Sequence, residues 1–264
     1  LSVFVKKGER EYVYLYSDAV GKGKSFNLTN GTIDADIIAP PTSAKIDNYG
    51  NGWYRCSMTI TANSGAFRIG TCLANGNFSY QGDGTSGVYI WGAMLEAQSY
   101  ATSYIPTSGS TVTRNQDVCT NGGSLSTINS TEGTLYAEIA ALSDDGTFRL
   151  LGFSDGTSAN RVYIGYSSAD KITCSFQVSS SVVYSFDFTT DITINSKLAI
   201  KYKENDFALW VNGVEVNSQS SGNTFPIGTL TQMQFTSAAT SSPFFGKTKA
   251  LAVWKEALSD QELA

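Results

Sequence analysis

The sequence contains no histidine, so the commonest general base and the commonest transition-metal ligand are both missing. Charge is also scarce. Charged residues make up 16% of the 264-residue chain, below the roughly 25% usual for soluble domains. The formal net charge is -5, a field that repels a phosphate backbone and argues against nucleic acid as a partner. No apolar run approaches the roughly 20 residues that a membrane-crossing helix needs, so membrane insertion is not expected. Cysteine is limited to Cys56, Cys72, Cys119 and Cys174. These are too dispersed for a zinc cluster and have no histidine to activate a thiolate, which leaves structural thiols.

Serine, threonine, asparagine and glycine take the place of the missing charge, alongside 14 Tyr and 14 Phe. β-Branched and aromatic side chains suit a pleated, half-buried surface, and Gly and Asn suit turns. The composition therefore predicts strands rather than long helices. Segments 1–6 and 11–16 alternate with period two and are expected to pair as a hairpin through 7–10. A second hairpin is expected from 53–60 and 67–73, turning at Asn63-Ser64-Gly65; two registers compete, and the one that keeps one face apolar sets Ile60 opposite Phe67, Met58 opposite Ile69 and Tyr54 opposite Leu73. That register sends Cys56 and Cys72 to opposite faces and argues against a disulfide between them.

Other strands expected in the first half are 25–28, 44–48, 87–96 and a short one at 111–114. The second half reads as strands at 133–140, 147–153, 161–166, 171–178, 182–188, 197–202, 207–216, 232–235 and 250–254. Ser259 and Glu262 then form a capping-box pattern that predicts one helical turn. Between 105 and 133 the periodicity lapses, and the domain connection is placed between Ser108 and Thr131. The expected fold class is all-β: two consecutive antiparallel β-sandwiches, residues 1–112 and 113–264.

The motifs Gly52-Trp-Tyr-Arg-Cys56, Gly87-Val-Tyr-Ile-Trp-Gly-Ala-Met-Leu-Glu96 and Thr102-Ser-Tyr-Ile-Pro-Thr107 resemble a jelly-roll domain of phage structural and tail-fibre proteins, akin to carbohydrate-binding modules. At Leu209-Trp-Val-Asn-Gly213 and Val253-Trp-Lys-Glu-Ala-Leu-Ser-Asp-Gln-Glu262 the second half resembles the laminin-G-like branch of the concanavalin A-like lectin superfamily. The resemblance implies a virion-surface or extracellular setting, with other virion proteins and further copies of the chain as partners. It also implies one or two strands ahead of Leu1, so that the first domain is N-terminally incomplete.

Such folds carry lectins, adhesins, glycanases and inert spacers, and the site has to be argued from residues. A glycoside hydrolase needs two carboxyl groups about 5 to 10 Å apart. The Glu-x-Asp-x-x-Glu pattern of laminarinase-like members is absent, and the nearest same-face pair, Asp34 and Asp36, sits in a turn-flanked stretch. A polysaccharide lyase could use Tyr163 with Arg161 or Arg149. Sugar binding asks for less: an aromatic ring to stack on a pyranose face and a few polar groups for its hydroxyls.

Alternation leaves Trp210 opposite the apolar face of Phe207, Leu209 and Val211, beside the turn Asn212-Gly213. Trp210 is the leading candidate, although relatives often keep an aromatic there for packing. Tyr12, Tyr14 and Tyr16 share the face opposite Val13 and Leu15. Two readings of this strip stay open, an outward platform or a layer packed under a loop. Tyr163 and Arg161 complete the carbohydrate-binding set, whereas Trp53 and Trp91 are expected in the core. The loops carrying Asp144, Asp145 and Asp155 resemble the rim where laminin-G-like domains hold Ca2+, and Asp-Gly is equally an ordinary turn. The expected function is non-catalytic binding of a host or environmental polysaccharide at a virion surface, against the alternatives of a purely structural fibre protein and a glycan-degrading enzyme.

Overall fold

The computed structural model describes residues 1–61, 65–113, 122–238 and 241–264. The chain divides into two compact units, Leu1–Asn115 and Gln116–Ala264. Every strand pair among the described residues is antiparallel, as expected for an all-β sandwich fold.

The first unit contains β1 (Ser2–Lys7), β2 (Tyr12–Ser17), β3 (Lys22–Asn27), β4 (Thr32–Ile38), β5 (Ser43–Asn48), β6 (Trp53–Thr59), β7 (Phe67–Cys72) and β8 (Val88–Met94). One sheet runs β5-β6-β1-β8 and the other β4-β3-β2-β7. Val3, Val5, Cys56 and Met58 meet Val13, Leu15 and Phe26 between them. Each such buried side chain is worth roughly 1.5–3 kcal/mol relative to exposure.

Both expected hairpins are corrected here. β1 pairs with β6 and β8, and β2 pairs with β3 and β7, so the two opening strands lie in opposite sheets. The four residues 8–11 span up to roughly 13 Å, enough to cross the roughly 10 Å between packed sheets. Likewise β6 and β7 belong to different sheets. Cys56 and Cys72 are free, as is Cys174, and burial pushes all three thiols up to about 12. Asn63, Ser64, Arg114 and Cys119 lie outside the described residues, and 111–113 form no strand. Asp34 and Asp36 follow the turn at 28–31 as read, but they lie in a strand that was not expected, β4, where Asp36 pairs with Lys24 Nζ at 2.6 Å and Asp34 accepts from Ser25 Oγ at 3.2 Å.

The second unit contains β9 (Glu132–Ala140), β10 (Arg149–Ser154), β11 (Arg161–Ser168), β12 (Lys171–Val178), β13 (Ser181–Thr189), β14 (Ser196–Lys203), β15 (Asp206–Val211), β16 (Val214–Gln219), β17 (Gln232–Gln234), β18 (Lys247–Trp254) and α1 (Asp260–Leu263). Its sheets run β13-β12-β11-β10-β17 and β16-β15-β14-β9-β18. Phe176 sits in the core between them, with the rings of Phe225, Phe207 and Tyr202 centred 4.5, 5.0 and 5.4 Å away. The expected run 207–216 is two strands. Asn212 and Gly213, at φ 52° and 78°, supply the two positive dihedrals of the tight turn between β15 and β16. The capping box is present: the Glu262 carboxylate accepts from Ser259 N–H at 2.9 Å and Oγ at 2.7 Å.

Candidate functional site

Trp210 projects from the face of its sheet away from the core, as alternation predicts, because Phe207, Leu209 and Val211 all enter the core. Its expected exposure is corrected. Only 7% of the residue is accessible, since the indole packs with Ala199, Ala208, Tyr136 and the α1 residue Leu263. The two alanines let the ring lie close to the sheet, and α1 is seated over it by Lys201 Nζ, which reaches Asp260 and Asp206 at 3.0 Å each. A hollow of about 400 Å³ beside it is lined by Tyr136, Lys197, Asn212, Trp254 and Glu262, among others. The indole Nε1 has no acceptor.

The tyrosine strip alternates with the core as read: Val13 and Leu15 are buried while Tyr12, Tyr14 and Tyr16 are partly exposed. Phe78 lies near Tyr14 and Tyr16, with ring centroids 5.6 and 6.4 Å away. Tyr12 Oη accepts from Asn27 Nδ2 at 3.1 Å. Burial raises the Tyr14 phenol above its ordinary value. The strip is therefore a layer partly packed against residues that follow β7.

Tyr163 and Arg161 are brought together on the outer face of the β13-β12-β11-β10-β17 sheet, whose other face carries Val162 and Ile164 into the core. Across this face the register sets Gln234, Gly152, Tyr163, Ser175 and Ser185 in one row. Small residues on both sides thus flank one partly exposed ring. The Arg161 guanidinium lies 5.1 Å from the ring centroid and donates to Gln177 Oε1 at 2.8 Å and the Ser237 carbonyl at 2.9 Å. Those two bonds hold the cation in place, and stacking against the ring adds a modest attraction. The arrangement offers a partly exposed ring with the part-buried Gln177 and Gln234 amides and the exposed Ser185 on the same face, while Ser175 directly beside it is buried.

Asp144, Asp145 and Asp155 have separate partners. Asp145 pairs with the fully buried Arg149. Asp155 accepts from Thr157 N–H and Oγ1 and from Asn160 Nδ2. Burial opposes its ionisation, but these bonds together hold its carboxyl below the usual range. Asp144 accepts from the Asp170 amide at 3.0 Å. Among the described residues no group of three acidic, Cys or His side chains is placed to hold a metal ion, so the rim-like Ca2+ reading finds no cluster there.

The reading of Trp53 and Trp91 as core residues is corrected. Trp53 pairs with Lys6 and Trp91 with Phe4, in the rows of β1 that face away from Val3 and Val5, and Trp91 is 53% exposed. Phe4 carried the available signal, because an aromatic opposite two core valines already marks the outer face of that sheet as apolar.

The family described as the concanavalin A-like lectin/glucanases superfamily matches residues 112–264. The chain belongs to this superfamily. No curated protein matches the sequence. Among solved structures, the CBM40 module of the Ruminococcus gnavus IT-sialidase bound to α2,3 sialyllactose is 17% identical, with 50% of this chain and 80% of that one covered at a TM-score of 0.44. The heptameric SAP-like pentraxin of Limulus polyphemus is 14% identical, with 52% and 70% covered at 0.40. Sheep galectin-11 in complex with glycerol is 11% identical, with 53% and 100% covered at 0.36. At these scores none of the three bears on the ligand of this lectin-superfamily chain.

Proposed function

We propose that the chain is a non-catalytic carbohydrate-binding protein whose superfamily domain holds a glycan on the Tyr163 face. The observation that carries this reading is the ring of Tyr163, fixed beside Arg161 in a row that otherwise holds Gln234, Gly152, Ser175 and Ser185. A pyranose can stack on the ring while its hydroxyls meet the amide and hydroxyl groups around it. Within the five strands of this sheet there is one carboxylate, Asp187. Two-carboxylate glycoside hydrolysis has no second partner in these strands. The proposed setting, a virion surface with other virion proteins alongside, rests on the tail-fibre resemblance of the first-half motifs.

A glycan array followed by titration calorimetry tests the binding. Tyr163→Ala is expected to weaken the strongest array ligand about tenfold, roughly 1.4 kcal/mol, with the melting temperature retained. Equal affinity in Tyr163→Ala and Arg161→Gln would refute the site.

A further inference from the structure

The outer face of the β5-β6-β1-β8 sheet carries a row of rings that the Tyr163 site does not use. Tyr49 stands edge-on to Phe4 at 5.0 Å, Phe4 meets Trp91 at 5.0 Å, and Trp91 meets Tyr104 at 4.5 Å. Phe4 is the buried floor of this row, whereas Tyr49 is 57% and Trp91 53% exposed. Two residues back along β8 from Trp91, about 7 Å by strand geometry, Tyr89 is 62% exposed. An apolar surface this open on a folded domain marks a binding face more often than a packing accident.

Charge on the same face selects the occupant. Arg55, stacked 5.1 Å from the Phe4 ring, is committed to the Thr102 carbonyl and to Ser2 Oγ. Glu96 accepts from Thr102 N–H and Oγ1, and Lys45 pairs with Asp47 at 2.9 Å. Lys6 has no acidic partner among the described residues. It pairs in register with Trp53 and Tyr89, and its side chain runs beside Gly52 in the turn that also carries Tyr49. Among the described residues, the uncommitted charge on the aromatic face is therefore the Lys6 cation, placed among exposed rings.

We infer that this face is a second carbohydrate site, selective for acidic polysaccharide: a uronic acid ring stacks on Trp91 while its carboxylate meets the Lys6 ammonium. The aromatic row suits a linear chain lying across the strands, and the cation distinguishes a uronate from its neutral counterpart. The site lies outside residues 112–264 and stands whether or not Tyr163 binds sugar.

The test is calorimetry of the full chain with tetragalacturonate and with cellotetraose, followed by tryptophan fluorescence. Tetragalacturonate should bind more tightly and quench the emission. Trp91→Ala should weaken it about tenfold, roughly 1.4 kcal/mol, and Tyr49→Ala gives a second reading should Trp91→Ala fold poorly. Lys6→Gln should weaken tetragalacturonate severalfold, leave cellotetraose unchanged and flatten the salt dependence. Tyr163→Ala should leave tetragalacturonate binding intact. Unchanged binding in both aromatic variants overturns the site, and unchanged binding in Lys6→Gln overturns its acid selectivity. Loss of tetragalacturonate binding in Tyr163→Ala alone assigns the sugar to the other face. A dimer that Trp91→Ala converts to monomer puts a second copy of the chain on these rings and overturns the proposal too.

Discussion

Leu263 of α1 packs on Trp210 of β15, separated from it by more than fifty residues of sequence, and this contact turns an outward-facing ring into a buried one. Trp210→Ala is expected to cost about 3 kcal/mol of folding free energy, because a large aromatic is removed from a packed site. Trp210→Phe should cost about 1 kcal/mol, since the ring body remains and the lost Nε1 has no acceptor to leave unpaired. Urea denaturation of the two variants measures both values. Unchanged stability in Trp210→Ala would return the residue to the list of surface platforms.

Arg149 is fully buried at one end of the second core, paired with Asp145, bonded to the Ser143 carbonyl at 2.9 Å and stacked 4.5 Å from the Phe245 ring centroid. Removing one partner of a buried pair strands the other charge, so Asp145→Ala should lose about 3 kcal/mol. Combining it with Arg149→Met should restore part of that loss, because no buried charge is then left uncompensated. A double-mutant cycle by chemical denaturation reads the coupling. Additive losses would show that the pair is energetically idle.

The strands were legible because period-two alternation is a local property. Val13 and Leu15 point inward and the three tyrosines outward as the spacing predicts, and 171–178 is a strand over its predicted length. Pairing was not legible. A four-residue connection serves a hairpin and a crossing between sheets equally well, and nothing local to residues 7–10 tells them apart. The candidate site divides in the same way. Tyr163 and Arg161 are two apart on one strand, so their shared face could be read directly. Trp91 could not be placed, because its exposure depends on β8 lying at the edge of its sheet, and the cover on Trp210 comes from α1. β4 was missed because its two aspartates read as turn residues, whereas on β3 Lys24 pairs with Asp36 and the Ser25 hydroxyl donates to Asp34.

Gly92 sets the shape of the aromatic face. The β1–β8 register shifts between Ser2 and Phe4, the mark of an extra residue in β8. Gly92 adopts φ 61° there, and a Cβ on it would stand 3.1 Å from both the Phe4 and the Tyr104 rings. Gly92→Ala should therefore lose about 1–3 kcal/mol from left-handed strain and ring displacement together. Near-ultraviolet circular dichroism should report altered aromatic packing around Trp91. A variant with native stability and spectrum would show that the bulge has no role in the platform.

Asp144 and Asp170 supply a pH-dependent prediction. The Asp144 carboxyl, hydrogen-bonded to and charged like its neighbour, raises the Asp170 carboxyl above its ordinary value, with a smaller contribution from burial. A carboxyl whose folded-state pKa exceeds the unfolded one binds its proton more tightly in the folded protein, so ionising it opposes folding. No penalty exists while both states are protonated, below the ordinary aspartate value of about 3.9. It grows as pH rises from there through the raised folded value, and above that it is fully present. Asp144→Asn keeps an oxygen to accept the Asp170 amide and removes the like charge. The variant should therefore be more stable than the parent at neutral pH and no more stable at about pH 3. Urea midpoints at the two pH values decide it. A gain that persists in acid would come from something other than carboxylate repulsion, and no gain at neutral pH would mean that solvent already screens the pair.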